Sequence, residues 1–375
     1  MATIAAAAPR RPVRRRLAAA ARAAATPLVP ADFVSLLNPL WAEDLHGRIV
    51  AVHPETADAV TLVIRPGRGW TGHTPGQYVR VGVDVGGVRH WRAYSLTSLP
   101  DRPDGCVTVT PKALPGGVVS THLVRRLRAG AVVRLSQAEG EFTLPARRPA
   151  ALLFITAGSG ITPVLGMLRQ LAAEGRLDAG PHGGPPMPSA VLVHSAPTAA
   201  DVVFGTELRA MARRLPGLRL HEQHTDTAGL LDAPGVTALV PDWRERQTFV
   251  CGPTAVLDAM EAHWAAARLA GSIHTERFRP RVVAVEGGGG RASFTRSGIS
   301  TDVDAATPLL DAGERAGALL PSGCRMGICF GCVGTLTAGA VRDLRTGAVT
   351  TAPDPGGTTV QTCISAAAGD CSVDL

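Results

Sequence analysis

Residues 321–333 read PSGCRMGICFGCV, a stretch that brings Cys324, Cys329 and Cys332 into one short loop and is followed about thirty residues later by Cys363. A C-x4-C-x2-C run answered by a distant fourth cysteine is the spacing with which four thiolates hold a [2Fe-2S] cluster. Three ligands so close together need a sharply turning backbone with its amides toward the sulfurs, and Gly323, Gly327 and Gly331 permit that turn. Met326, Ile328 and Phe330 supply an apolar cover, which matters because solvent access and hydrogen bonds to sulfur tune such a site. Zinc is the competing metal, but it more often takes paired C-x2-C knuckles or a knuckle with histidines, and neither pattern occurs here. Seven cysteines in 375 residues, four of them in one site, is not the density of a disulfide framework. The loop therefore points to electron transfer.

Length and composition set the frame around it. A chain of 375 residues with 45% hydrophobic content has room for about two or three domains with ordinary cores. The net charge of +7 comes almost wholly from arginine, Lys112 being the only lysine, and no basic stripe interleaved with aromatics occurs, so nucleic acid is not the expected partner. The surplus suits compositional bias and a docking face for an acidic protein. No uninterrupted apolar run is long enough to span a membrane. Residues 1–26 are rich in alanine and arginine and lack the apolar core of a secretory signal; they read as a frayed extension, or as a basic segment resting on an anionic membrane. Free thiolates and an iron cluster both require a reducing interior, which places the protein in the cytoplasm or at the inner face of the membrane.

Taken in order, the chain opens with a basic extension and a short helix over 1–44, the helix within DFVSLLNPLW at 32–41. From 45 to 148 the short β-branched runs GRIVAVHP, AVTLVIRP, QYVRVGVD, HWRAYSLTS and CVTVTPK predict an antiparallel β-barrel interrupted by one helix near 119–128. From 149 to 280 strands and helices alternate: AALLFITAG, a helix over 161–173, AVLVHSA, a helix over 207–214, TFVCGP, and a helix over 255–270. That is the pattern of an α/β doubly wound parallel sheet. A Gly-rich linker is expected at 281–290, and 291–375 form a last unit of mixed β and short helix that carries the four cysteines.

Inside the barrel, Arg92-Ala93-Tyr94-Ser95 puts a guanidinium, an aromatic ring and a hydroxyl on one strand, a set that suits a flavin; a strand tyrosine is also often mere core. Gly116-Gly117-Val118-Val119-Ser120-Thr121 opens the barrel helix, where free amides with Ser120 and Thr121 suit a diphosphate, or simply cap the helix. In the parallel domain Gly158-Ser159-Gly160-Ile161-Thr162-Pro163 joins the first strand to the first helix, the place where open α/β sheets bind nucleotide phosphates. Proline stands where a G-x-G-x-x-G fingerprint has its third glycine, so a bare glycine turn is an equal reading. Cys251-Gly252-Pro253 follows a later strand at the same edge, with Cys251 either facing a nicotinamide or filling the core.

Taken together and in this order, R-x-Y-S at 92–95, G-x-x-S-T at 117–121, A-G-S-G-I-T-P at 157–163, C-G-P at 251–253 and E-R-F at 276–278, then the cysteine loop, resemble the ferredoxin-NADP reductase superfamily with a C-terminal plant-type ferredoxin. The resemblance covers residues 47–375. It implies a flavin barrel, a nucleotide domain and an α+β β-grasp ferredoxin. Residue by residue it implies Arg92, Tyr94 and Ser95 at the flavin and Gly117, Ser120 and Thr121 at its diphosphate, hence FAD. It further implies Gly158, Ser159, Gly160, Thr162, Pro163, Cys251, Gly252 and Pro253 at the nicotinamide nucleotide, with Glu276 and Phe278 approaching the flavin. Cys324, Cys329, Cys332 and Cys363 would be the cluster ligands, the strand-like Val360-Gln361-Thr362-Cys363 being preferred over Cys371.

The domain order resembles reductase components that feed oxygenases, hydroxylases and desaturases. The context of SLLNPLWAEDLHGRIVAV and WRAYSLTS is most similar to actinobacterial reductases of membrane acyl-CoA desaturases. The implied activity is NAD(P)H:acceptor oxidoreduction, with Cys251, Tyr94 and Ser95 beside the reacting ring and an oxygenase or desaturase protein as partner. A soluble ring hydroxylase or epoxidase is the alternative acceptor, and a non-catalytic zinc-binding module the alternative of another class. His194-Ser195-Ala196-Pro197 offers no acid after the second nucleotide-domain strand, while Arg209, Arg213 and Arg214 lie on the next helix, so NADPH is expected over NADH.

Overall fold

The computed structural model describes residues 40, 44–178, 189–278, 288–353 and 356–375; the expected helix at 32–41 lies largely outside them, and the basic segment 1–26 wholly so. Three sheets organise the chain.

The first is antiparallel: β1 His46–Thr56, β2 Ala59–Pro66, β3 Tyr78–Val85, β4 Val88–Ser95, β5 Val107–Val109 and β6 Val132–Glu139, in the order β4-β3-β6-β1-β2-β5. Its two outer strands meet through the Leu96–Val109 bridge, so the sheet closes on itself as the barrel pattern expects. Threonines line that seam: Thr97 Oγ1 and Thr108 Oγ1 are 2.7 Å apart, and the Thr108 N–H donates to Ser98 Oγ at 3.1 Å. The interior holds Ile49, Leu62, Ile64, Val79, Val81 and Val109. Helix α1, Val118–Arg125, closes one end by burying Val119, Leu123 and Val124. The sixth strand was not among those the sequence predicts, because VVRLSQAE mixes buried, half-buried and exposed positions.

The second sheet is wholly parallel, β7 Leu152–Ala157, β8 Ala190–Ala196, β9 Leu218–His224, β10 Gln247–Cys251 and β11 Ile273–Glu276, ordered β11-β10-β7-β8-β9. Helices α2 Ile161–Ala173, α3 Gly205–Arg214, α4 Ala233–Leu239 and α5 Thr254–Ala266 connect it. Alternate residues of each strand go to opposite cores: Phe154 and Leu192 pack with α2 and α3, whereas Leu153, Ile155, Val191 and Val193 pack with α4 and α5. Burial on both faces explains why β7 and β8 are nearly unbroken apolar runs. Truncating a fully buried ring such as Phe154 to alanine costs about 3–5 kcal/mol. Strand β9 has no such signature, since LRLHEQH lies at the sheet edge.

The third unit is mixed: β12 Gly289–Phe294, β13 Ile299–Asp304, β14 Val333–Asp343, β15 Val349–Thr351, β16 Thr358–Gln361 and β17 Ser365–Asp374, with α6 Leu309–Arg315 across it. Here the expected linker at 281–290 is corrected in part: Gly289 and Gly290 belong to β12 and pair with Asp304 and Val303. A Cβ at Gly290 would strike the Gly369 backbone, so this glycine serves close strand contact rather than looseness. Residues 281–287 lie outside the described residues. Among the described residues no helix is long and apolar enough to cross a membrane.

Candidate functional site

On β4, Arg92 and Tyr94 sit opposite Val81 and Val79 of β3, and Ser95 opposite Tyr78. The Arg92 guanidinium donates to its neighbour Trp91 O at 2.8 Å and to Gly323 O, one residue before Cys324, at 3.4 Å. Burial, and then the charge of Arg325, push its pKa down to about 10. Burial drives the Tyr94 hydroxyl up, and Ser95 is buried.

At the mouth of α1 the two hydroxyls behave differently. Ser120 Oγ accepts from the Leu114 N–H at 3.1 Å and lies 3.5 Å from Gly117 O, closing the turn that precedes the helix. Gly117 is tight there, since a Cβ would meet Ser120 Oγ. Thr121 is exposed. A diphosphate at this turn would meet backbone amides and Thr121, with Ser120 shaping the loop.

In the parallel domain, Gly158 has φ 53° and starts a tight turn that leads into α2. Thr162 Oγ1 donates to Ser159 O at 2.9 Å, and Thr162 and Pro163 are buried. Gly160 lies against the Cys251 carbonyl so closely that any Cβ would collide with it, which ties the glycine turn to the end of β10. Gly252 packs on Ala157, and Pro253 precedes α5. Cys251 is fully enclosed and belongs to the apolar core, and burial, then the charge of Glu276, drive its thiol pKa up. Its β11 partner Glu276 has a carboxyl pushed up to about 7 by burial. Phe278, at the end of the described segment, is 37% exposed.

The arginines of α3 separate. Arg209 pairs with Glu222 of β9 at 2.8 Å and donates to Ala199 O at 3.3 Å. Arg213 and Arg214 sit in the last turn of the helix, shortly before Leu218 starts β9 and pairs with Ala190 at the amino-terminal edge of the sheet. That is the edge opposite the glycine turn. His194 is fully buried with Nδ1 2.8 Å from Thr156 Oγ1, and burial pushes its pKa down to about 4.

The cysteine loop brings its thiols together. The Cys324 N–H points at Cys329 Sγ at 3.0 Å, the Met326 N–H at Cys324 Sγ at 3.3 Å and the Gly331 N–H at Cys329 Sγ at 3.4 Å. The Cys324 thiol, with the amides of Cys324 and Gly331, holds Cys329 well below the ordinary thiol range; a hydrogen bond from Cys363 lowers Cys332 as well. The backbone is left-handed at Arg325, Gly327 and Phe330, and a Cβ at Gly323 would collide with Cys329 Sγ. Thr362 donates to Cys332 O through both its N–H, at 3.1 Å, and Oγ1, at 2.9 Å, which places Cys363 against the loop. Four thiols with amides aimed at sulfur in a tight turn fit a [2Fe-2S] cluster. Cys371 is buried on β17, in register with Ala292 and Gly339, and Cys106 is buried at the edge of β5. Arg325 does not offer a free charge, because Asp311 and Glu314 of α6 grip its guanidinium, whereas Phe330 is 67% exposed.

Sequence reasoning missed Tyr78, Arg80 and Glu139, which form a hydrogen-bonded cluster on the outer face of the barrel. They belong to no motif, and only the β3–β6 pairing brings them together.

Comparison with known proteins agrees with this arrangement. Residues 63–144 match the oxidoreductase FAD-binding domain, 154–262 the oxidoreductase NAD-binding domain and 294–368 the 2Fe-2S iron-sulfur cluster binding domain. An NADPH oxidoreductase of Mycobacterium tuberculosis is 49% identical over 354 residues, spanning 93% of this chain and 90% of its own. The ferredoxin reductase component of a 3-ketosteroid-9-alpha-monooxygenase from the same species is 30% identical, over 81% of this chain and 88% of its own. Phthalate dioxygenase reductase shares the fold, with a TM-score of 0.56 at 23% identity, over 89% of this chain and 98% of its own.

Proposed function

The chain belongs to the ferredoxin reductase family, with FAD-binding, NAD-binding and 2Fe-2S domains, and from that premise we propose that it carries electrons from NADPH to the metal centre of an oxygenase-type acceptor. It is an NAD(P)H-dependent oxidoreductase of the kind that serves oxygenase systems. The observation that carries the reading is the reach of Arg92 to Gly323, which sets the strand expected to hold flavin against the loop expected to hold the cluster. A bound flavin takes the two electrons of a hydride and passes them on singly, and a [2Fe-2S] cluster accepts them one at a time.

We assign domains to 45–148, 149–280 and 291–375. In the first, Arg92 supplies positive charge, Tyr94 a ring face and Ser95 a hydroxyl to the flavin, while Gly117, Ser120 and Thr121 form the turn for the FAD diphosphate. In the second, Gly158, Ser159, Gly160, Thr162 and Pro163 form the turn for the nucleotide. Gly252, Pro253, Glu276 and Phe278 wall the nicotinamide end and exclude water from it, with Cys251 in the core behind them. In the third, Cys324, Cys329, Cys332 and Cys363 ligate the cluster. Preference for NADPH is supported by the name of the 49% identical relative; of the three helix arginines only Arg209 stands clear of the wrong edge.

The finer acceptor assignment, a membrane acyl-CoA desaturase, rests on the similarity of 35–52 and 91–98 to reductases of that group. Flavin and iron-sulfur absorption bands in purified protein test the core reading, and a colourless protein ends it. Binding to anionic liposomes that is lost on deleting residues 1–26 supports the desaturase; no binding favours a soluble oxygenase.

A further inference from the structure

Helix α2 leads away from the glycine turn and lies along the barrel. Gly166 comes so close to the end of β4 that a Cβ there would stand 3.0 Å from Leu96 O. One residue on, Met167 lies against Gly76, where an added Cβ would come within 2.7 Å of its Cε. Arg169 crosses the same seam, its Nη1 donating to Thr97 O at 2.5 Å. The rest of its guanidinium is taken up on the α3 side: Nε and Nη2 donate to the two Glu207 oxygens at 2.8 and 2.7 Å, and Cζ stands 5.7 Å from the centre of the Phe204 ring. Thr97 is itself fixed in the barrel, its N–H donating to Thr108 O at 2.9 Å and its Oγ1 lying 2.7 Å from Thr108 Oγ1. Beyond Arg169 the seam opens into a cavity of about 510 Å³ lined by Leu99, Ala172, Met211 and Arg214, so packing does not close that side.

We propose that Arg169, braced by Glu207, is a positioning residue for hydride transfer from nicotinamide to flavin: its planar fork ties the helix that leaves the nucleotide turn to the chain just beyond Ser95. The inference rests on the assignment above of flavin to β4 and of nucleotide to residues 158–163. Thr97 is two residues past Ser95 and Arg169 six past Pro163, so one hydrogen bond closes a short path between the two binding segments. Because α2 is one continuous helix, about 12 Å from Ile161 to Arg169, a tilt at Thr97 is carried to the glycine turn. Misplacing reacting groups by about 1 Å can cost about 100-fold in rate. The plainer reading is that Arg169 and Glu207 only fasten α2 to α3, a partly exposed ion pair that adds little stability and leaves the barrel unaffected.

The two readings part on where loss of the fork is felt. Full-length wild type, Arg169→Gln, Arg169→Lys and Gly166→Ala are compared by hydrogen exchange without nucleotide and by anaerobic stopped-flow reduction of the flavin with NADPH. The inference expects Arg169→Gln to speed amide exchange in the barrel segment 96–99 as well as in α3. It also expects flavin reduction at saturating NADPH to slow about tenfold while the Kd for NADPH stays within about twofold. Arg169→Lys, with no fork to serve Glu207 and Thr97 at once, should follow Arg169→Gln. Gly166→Ala, which changes no charge but presses the helix off Leu96 O, should slow the same step about threefold. Faster exchange confined to α2 and α3, a wild-type rate in Arg169→Lys, or a raised Kd with an unchanged saturating rate overturns the inference. Should Arg169→Gln not fold, the other two variants decide, and a wild-type rate in either overturns it. Wild-type protein without flavin absorption removes the parent assignment instead, and this one with it.

Discussion

Cys251 and Glu276 face each other on adjacent parallel strands, and burial pushes the pKa of both groups up. The carboxyl is the one that titrates in reach of neutral pH. Its folded pKa, about 7, lies above the ordinary 4.5, so the folded protein holds a proton that the unfolded chain releases. The contribution of Glu276 to stability is therefore fully present below pH 4.5, declines as pH rises, and is lost above 7, for a total of at most about 3 kcal/mol. Thermal unfolding of the protein without added nucleotide, scanned from pH 5 to 8, should show this decline. Glu276→Gln should flatten it, and an unaltered slope in that variant would remove Glu276 as its source.

Replacing Cys363 with serine should spare NADPH oxidation by a dye that takes electrons at the flavin. Cytochrome c reduction should fall to background, because Cys363 is the thiol brought to the loop by the Thr362–Cys332 contacts. Loss of both activities would contradict the order flavin first, cluster second.

Cys371→Ser is the matching control. The residue sits in the β17 core, so stability should fall by about 1 kcal/mol while the visible cluster spectrum stays as it was. Bleaching of the spectrum would move the fourth ligand to Cys371.

The nucleotide preference should survive substitution at one edge of the sheet and not at the other. Arg213→Gln and Arg214→Gln should leave kcat/KM for NADPH and NADH unchanged, since both residues flank the amino-terminal edge. Arg209→Gln should lower kcat/KM for NADPH about tenfold relative to NADH, as losing one charged contact to a phosphate predicts. A strong NADH preference in the wild type would refute the NADPH assignment.

What could be read in the sequence follows from what each segment buries. Strands with apolar residues on both faces, such as LLFITA and AVLVHSA, announce themselves, and so does α2, whose bounds at 161–173 come out as expected. LRLHEQH and VVRLSQAE do not, because their pattern reflects neighbours far away in the chain. The four cysteines were legible because spacing alone brings three of them together. The reach of Arg92 to Gly323 was not, since it depends on a second domain folding against its strand. The arginines of α3 were legible as charges but not as positions, and only the helix direction separates Arg209 from Arg213 and Arg214.

The Val333–Gln361 register of β14 with β16 has a consequence for how this chain tolerates changes in length. Three cysteines travel together in one loop, but the fourth is delivered by a strand that pairs with β14 and ends two residues short of it. Insertions between β15 and β16 can bulge outward without moving Cys363. A single deletion within 358–362 slides the chain by about 3.3 Å and breaks that register, so that the Thr362–Cys332 contacts that seat Cys363 against the loop are lost.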